Sequence, residues 1–270
     1  METIIESYIL GKKSEAECED AIVVTEDFIA VIDGSTSKTP LHLSPTMKNG
    51  RYAALLTERF ICDELKPDAS AAGFCRGITY YIYKVYKQAG VADRMRQNPV
   101  ERLAASAVIY SRVRQEVWMV GDCQALIDGV LYENPKPYEE LIATRRVELI
   151  RQGMPPLEAR KTIEPLLVRA ITEGQNRQYA VIDGFPIYMD GVRVIPCAPL
   201  QTASGITSRE VVLASDGYPT LLPTLAASEA ALASQLASDP QNIGSFIATK
   251  GLVEGNRSFD DRAYVRFVVG

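Results

Sequence analysis

Two short runs rich in β-branched residues, AIVV and FIAVI, flank Glu26-Asp27 within residues 20–33. This pattern predicts a β-hairpin that ends on Asp33. Residues 34–50 form a Ser/Thr/Pro-rich loop. Apolar positions at helical spacing then predict a helix over 51–65, stopped ahead of Pro67, and a second over 70–89. Between Leu103 and Asp122, SAVIYS and EVWMVGD flank a polar turn at 112–115 and predict another hairpin. ALIDGVLYE predicts a third, turning at Asp128-Gly129. Two amphipathic helices are expected over 137–153 and 156–173, around Gly153-Met154-Pro155-Pro156. Strands are expected again in YAVIDG, PIYMDG and VRVIPC, with Asp190-Gly191 as a hairpin turn, and in REVVLASDG, which ends on Asp216. An alanine-rich helix over 221–238 and a last strand in FDDRAYVRFVVG complete the pattern.

About ten strands joined mostly by short turns, with helices arriving in pairs, point to the α+β class. The expected arrangement is two antiparallel sheets covered by helices, not a doubly wound parallel sheet. No low-complexity linker interrupts the chain, so residues 1–270 are expected to form a single domain with a helical insertion at about 137–173.

Composition narrows the function. Hydrophobic residues make up 47% and charged residues 23% of the chain, and the formal net charge is -5. That balance argues against a nucleic-acid partner, which needs a basic surface. No apolar run is long enough to span a membrane, and METIIESYILGKK lacks the basic and apolar regions of a signal peptide. The five cysteines, Cys18, Cys62, Cys75, Cys123 and Cys197, are scattered and odd in number. They suit a reducing cytoplasm, each as a small buried side chain. The single histidine, His42, excludes a zinc site built on several histidines. The chemistry must therefore come mostly from carboxylates.

The pentapeptide AVIDG occurs at 30–34 and 180–184, and ALIDG at 125–129. Asp128 and Asp190 read as hairpin-turn residues. Asp183 precedes the apolar bend Phe185-Pro186-Ile187 and reads as structural. Asp33 differs, because its hairpin returns Glu19 and Asp20 beside it and the polar loop Ser35-Thr36-Ser37-Lys38 follows. Carboxylates gathered at one sheet end repel one another unless a cation is bound. Asp216 and the pair Asp260-Asp261 also stand at strand ends, and such groups can converge on a hard cation, Mg²⁺ or Mn²⁺.

Taken in order, CEDAIVVTEDFIAVIDGSTSK, LAASAVIY, VWMVGDCQALIDG, VVLASDGYP and SFDDRAYVRF resemble the successive motifs of the metal-dependent protein serine/threonine phosphatases of the PP2C type. They span residues 18–268. The resemblance implies a four-layer α/β/β/α sandwich, two antiparallel β-sheets flanked by helix pairs. It implies hydrolysis of phosphoserine and phosphothreonine in proteins by a hydroxide that bridges two Mn²⁺ or Mg²⁺ ions. By motif, Asp33 resembles the aspartate that bridges both metals. Gly34 resembles the glycine whose carbonyl meets one of them, and Asp216 and Asp260 resemble the remaining carboxylate ligands. Glu19 and Asp20 resemble the acidic pair that holds metal-bound waters. Asp122 resembles the aspartate that serves a third, weaker metal position in many members.

The pattern is incomplete on the phosphate side. Where many members carry a phosphate-binding arginine, this chain has Glu15; Lys12, Lys13 and Lys38 are the cations nearby that are expected to contact phosphate. Lysine does not reproduce a bidentate guanidinium fork. Ser35 stands where some members have a histidine, and Cys123 interrupts the family's GDSR-like motif. Two alternatives to a protein phosphatase therefore stand: a phosphatase for a small phosphorylated molecule, and a catalytically weak regulatory module. The region 137–173 matches the place where the family carries a variable flap.

Overall fold

The computed structural model describes residues 3–202 and 205–270. Twelve strands are present among them: β1 (Thr3–Leu10), β2 (Asp20–Val24), β3 (Phe28–Gly34), β4 (Ala105–Ser111), β5 (Glu116–Val120), β6 (Gln124–Ile127), β7 (Val130–Tyr132), β8 (Val192–Pro196), β9 (Leu200–Thr202), β10 (Gly205–Thr207), β11 (Arg209–Ala214) and β12 (Arg262–Val269). The helices are α1 (Asn49–Asp63), α2 (Ala71–Gln88), α3 (Ala92–Gln97), α4 (Glu139–Arg151), α5 (Pro156–Gly174) and α6 (Leu225–Ser238). One five-stranded sheet runs β2-β3-β4-β5-β8 and the other β1-β12-β11-β6-β7, with β9-β10 a separate pair. All ladders are antiparallel. This is the helix-covered pair of antiparallel sheets expected from the hydrophobic pattern.

The unbroken apolar run of β3 follows from its place between two layers. Phe28, Ala30 and Ile32 face a core shared with α1 and α2, through Ala53, Phe60, Phe74 and Ile78. Ile29 and Val31 point the other way, into a core between the sheets with Val108, Val211, Leu213, Val265 and Phe267. A strand buried on both faces loses the polar alternation of a half-exposed one. The outer face of the second sheet carries Leu126, Val212 and Tyr264 against Leu232 of α6 and Leu221. The hairpin of α4 and α5 has its own small core of Ile142, Leu149, Ala159 and Ile163. It is anchored where the Arg146 guanidinium donates to the carbonyls of Gln241 (2.8 Å) and Ala248 (3.3 Å).

Three expectations are corrected. PIYMDG is not a strand: Met189–Gly191 is a 3-10 turn leading into β8, so Asp190-Gly191 joins no strand pair. YAVIDG contributes only isolated bridges, such as Ala105 with Ile182. Pro186 has no N–H to give to a ladder, and the Phe185 amide donates to the Asp183 carboxylate at 2.9 Å, which bends the chain. Cys62 is exposed on α1, unlike the other four thiols, and none of the five is in a disulfide. Asp128, by contrast, occupies the expected tight turn between β6 and β7, with φ of 49° followed by Gly129 at 79°.

Candidate functional site

Register delivers the acidic residues to one end of the sandwich. In the β2–β3 hairpin Asp20 is the direct partner of Asp33, and on its other side Asp33 pairs with Ser106 of β4. Asp33 follows Ile29 and Val31 at intervals of two, which puts it on the face toward the second sheet. There, Ala214 pairs with Gln124 and with Tyr264. Two residues beyond these pairs lie Asp216 on one chain segment and Asp122 on the other. Leu10 pairs with Arg262, so the chain leaving β1 brings Lys12 beside Asp260 and Asp261.

Asp33, Asp122, Asp216 and Asp260 line one cavity of about 290 Å³, together with Lys12, Lys38, Lys136, Glu139, Arg160 and Lys250. Glu19 and Asp20 lie behind it, both buried. The cavity thus receives residues from eight separated stretches of chain. Lys13 is not among them. It is exposed and paired with Glu17 at 3.3 Å. Glu15, too, is on the surface.

Close backbone packing fixes the geometry. A Cβ on Gly34 would overlap the Gly50 carbonyl at the start of α1 and lie 2.6 Å from the Glu19 carbonyl oxygen. A Cβ on Gly217 would overlap the carbonyl oxygen of Asp261. Both glycines therefore serve contact between protein segments, a reason for their small size that is independent of any bound ion.

The carboxylates fall into two groups. Asp122 and Asp260 are matched by ammonium groups. Lys136 pairs with Asp122, whose other oxygen accepts from the Ser106 hydroxyl at 2.5 Å. Lys250 and Lys12 both pair with Asp260, Lys12 at 2.9 Å, and Lys12 also reaches Asp261 at 3.1 Å. Burial works against the charge on Lys12, but Asp261, Glu19 and Asp33 outweigh it and raise its pKa. Burial likewise disfavours the charge on Asp122, yet Lys136 holds its pKa below the usual range.

Asp20, Asp33 and Asp216 form the second group, and no lysine or arginine is in ion-pair contact with them among the described residues. Both oxygens of Asp20 and Oε1 of Glu19 are buried without a hydrogen-bond partner. Burial pushes the Asp33 carboxyl well above its ordinary range, and the charges of Asp216, Asp20 and Asp122 push it further. Asp20 rises to about 7, chiefly through burial, with the charges of Asp261 and Asp216 adding to it.

Orphaned buried oxygens of this kind call for a partner, and an all-oxygen donor set suits a hard divalent cation. The fit is incomplete in one respect. Among the described residues no three acidic, cysteine or histidine side chains already stand as a metal shell. Lysine ammonium groups instead sit on Asp122 and Asp260. The carboxylates that could hold a cation are Asp33 and Asp216, which no ammonium group engages among the described residues, whereas Asp260 is engaged by Lys250 and Lys12.

Three basic groups of the cavity leave no signal in the sequence. Lys136 and Lys250 carry no motif, and Arg160 sits on a helix face rich in charge; only the folded chain places them in the cavity. Lys38 was expected, and it lines the same cavity.

No protein-family model matches the chain, and neither does any curated protein. Among solved structures, the chain is similar to PppA, a key regulatory component of T6SS in Pseudomonas aeruginosa, at 13% identity over 98% of this chain and 96% of that one, with a TM-score of 0.48. It is similar to the PPM Ser-Thr phosphatase MsPP from Mycobacterium smegmatis at 18% identity over 99% and 100% of the two chains, TM-score 0.47. The Mycobacterium tuberculosis serine/threonine phosphatase PstP/Ppp gives 14% identity, 99% coverage of each chain and a TM-score of 0.47.

Proposed function

We propose that the chain is a metal-dependent phosphatase that hydrolyses phosphoserine and phosphothreonine in proteins, with residues 1–270 as one catalytic unit. The observation that carries this reading is the convergence of Asp33, Asp122, Asp216 and Asp260 on a single cavity that also contains Lys38 and Arg160. Carboxylates for cations and cations for a phosphoryl group are the two halves that phosphoryl transfer to water requires. Two Mn²⁺ or Mg²⁺ ions, when bound, supply an activated water and offset charge on the phosphoryl oxygens. Asp33 and Asp216 hold the cations. Asp20 and Glu19, buried behind them, orient water and supply the negative charge that keeps the cations in place. No histidine lines the cavity, so no imidazole donates a proton to the leaving oxygen.

The experiment is hydrolysis of a phosphoserine and phosphothreonine peptide panel in Mn²⁺, against small sugar and nucleotide phosphomonoesters. Preference for the peptides supports the protein-phosphatase reading. Turnover confined to small esters replaces it with the small-molecule phosphatase, and no turnover of either class favours the regulatory module.

A further inference from the structure

Five basic side chains line the cavity: Lys12, Lys38, Lys136, Arg160 and Lys250. Three of them are engaged by carboxylates, Lys12 and Lys250 by Asp260 and Lys136 by Asp122. Lys38 and Arg160 are different. Among the described residues neither is in ion-pair contact with a carboxylate, and Nη1 of Arg160 is buried with no hydrogen-bond partner. The two are close enough for Arg160 to act on Lys38 as a like charge. Glu164 and Glu139 act on Arg160 through space without pairing with it, and Glu164 and Glu19 act so on Lys38.

Two part-buried cations that face one cavity without a counterion carry an uncompensated electrostatic cost. Burial, then Arg160, brings the Lys38 pKa down to about 8. An anion between them removes that cost. The guanidinium offers a fork suited to tetrahedral oxyanions, and the ammonium adds a point charge. Both groups share the cavity with Asp33 and Asp216, where the reacting phosphorus must lie if the proposed function holds.

We propose that Arg160, carried by α5 of the helical hairpin, and Lys38, carried by the loop after β3, grip the phosphoryl group of the substrate. The hairpin of α4 and α5 is then part of the substrate site. This rests on the proposed phosphatase reading for its catalytic meaning, but phosphate binding tests it separately.

Inorganic phosphate is titrated calorimetrically into the full chain in chelator at low ionic strength, for wild type, Arg160→Gln, Arg160→Lys and Lys38→Gln. The expected result is binding by wild type, at least tenfold weaker binding in Arg160→Gln and Lys38→Gln, and intermediate affinity in Arg160→Lys. The melting temperature of Arg160→Gln should equal or exceed that of wild type, because an unpartnered buried guanidinium is removed. A variant that loses phosphate only because it is unfolded is recognised by that melt, and the Lys38→Gln arm then decides. In Mn²⁺, the KM for p-nitrophenyl phosphate should rise about tenfold or more in Arg160→Gln. Wild type that binds no phosphate, or variants that bind it like wild type, overturns the grip. Turnover with an unchanged KM in Arg160→Gln also overturns it while leaving the phosphatase reading intact. Phosphate binding lost in the variants of a chain with no phosphatase activity supports the grip and removes the catalytic reading.

Discussion

Asp20 stands directly across the β2–β3 ladder from Asp33, two buried or half-buried carboxyls as cross-strand neighbours. Like charges in that position oppose the fold. Both groups are held above the ordinary carboxyl range, mainly by burial. A raised pKa in the folded state means that folding takes up protons. The stabilising contribution is complete below the unfolded value near 4 and is lost as pH rises through the folded value, about 7 for Asp20. In chelator, therefore, Asp20→Asn should be more stable than wild type at pH 8, and the gap should narrow toward pH 5. Added Mn²⁺ should stabilise wild type more at pH 8 than at pH 5. Thermal melts across this range check both statements; a gap that does not change with pH contradicts them.

The pairing of Lys136 with Asp122 makes a second prediction. Removing the ammonium leaves a largely buried carboxylate without its counterion. Lys136→Met should lose about 3 kcal/mol in urea unfolding, a typical cost of breaking a buried pair. Asp122→Asn in the same chain should recover much of that loss. If the ammonium occupies a cation's position, Mn²⁺ should restore more stability to Lys136→Met than it gives wild type. Equal gains in the two proteins reject that equivalence.

Gly34 is fixed by contact with the Gly50 carbonyl. Gly34→Ala must push β3 away from the start of α1, and the displaced segment carries Asp33. A loss of about 2–3 kcal/mol is expected, together with weaker Mn²⁺ binding. An alanine variant with wild-type stability and metal affinity excludes this packing role.

Asp183, at the end of the second AVIDG, has a different fate from Asp33. It is fully buried, accepts from Arg102 at 2.8 Å and from the Gln175 amide at 2.8 Å, and lies outside the cavity. Asp183→Asn should weaken the Arg102 pair and cost about 2–3 kcal/mol in urea unfolding. Under the proposed function, it should leave kcat of the folded protein within about twofold. A selective loss of turnover at unchanged stability contradicts the structural role.

How far the sequence foretells this can be seen in those two aspartates. The same five letters, AVIDG, precede a strand hairpin end at 34 and a chain bend at 184. Flanking residues separated them: a polar loop and a returning acidic pair at Asp33, an apolar Phe-Pro-Ile bend at Asp183. Hairpins, helices and the two-sheet architecture were legible because hydrophobic period and turn chemistry are local. Strand β1 is not legible in the pattern, although TIIESYIL forms eight residues of edge strand. Its side chains alternate between exposed and half-buried, so little sets it apart from a polar terminus. The apolar letters of PIYMDG satisfy the strand pattern, while Pro186 and the Asp183 side chain decide otherwise. The basic half of the cavity was largely invisible. Lys136, Arg160 and Lys250 reach it through tertiary placement of loops and a helical hairpin, which leaves no spacing in the sequence.

The central claim is that Asp33 and Asp216 hold the cations of a phosphatase site. The most direct measurement is the Mn²⁺ dependence of p-nitrophenyl phosphate hydrolysis by wild type, Asp33→Asn and Asp216→Asn, with Asp183→Asn as the buried-aspartate control. The account predicts metal-dependent turnover in wild type and in Asp183→Asn, and a loss of at least a hundredfold in the other two, about 2.7 kcal/mol of transition-state stabilisation. Turnover independent of added metal, or equal turnover in Asp33→Asn and wild type, contradicts it.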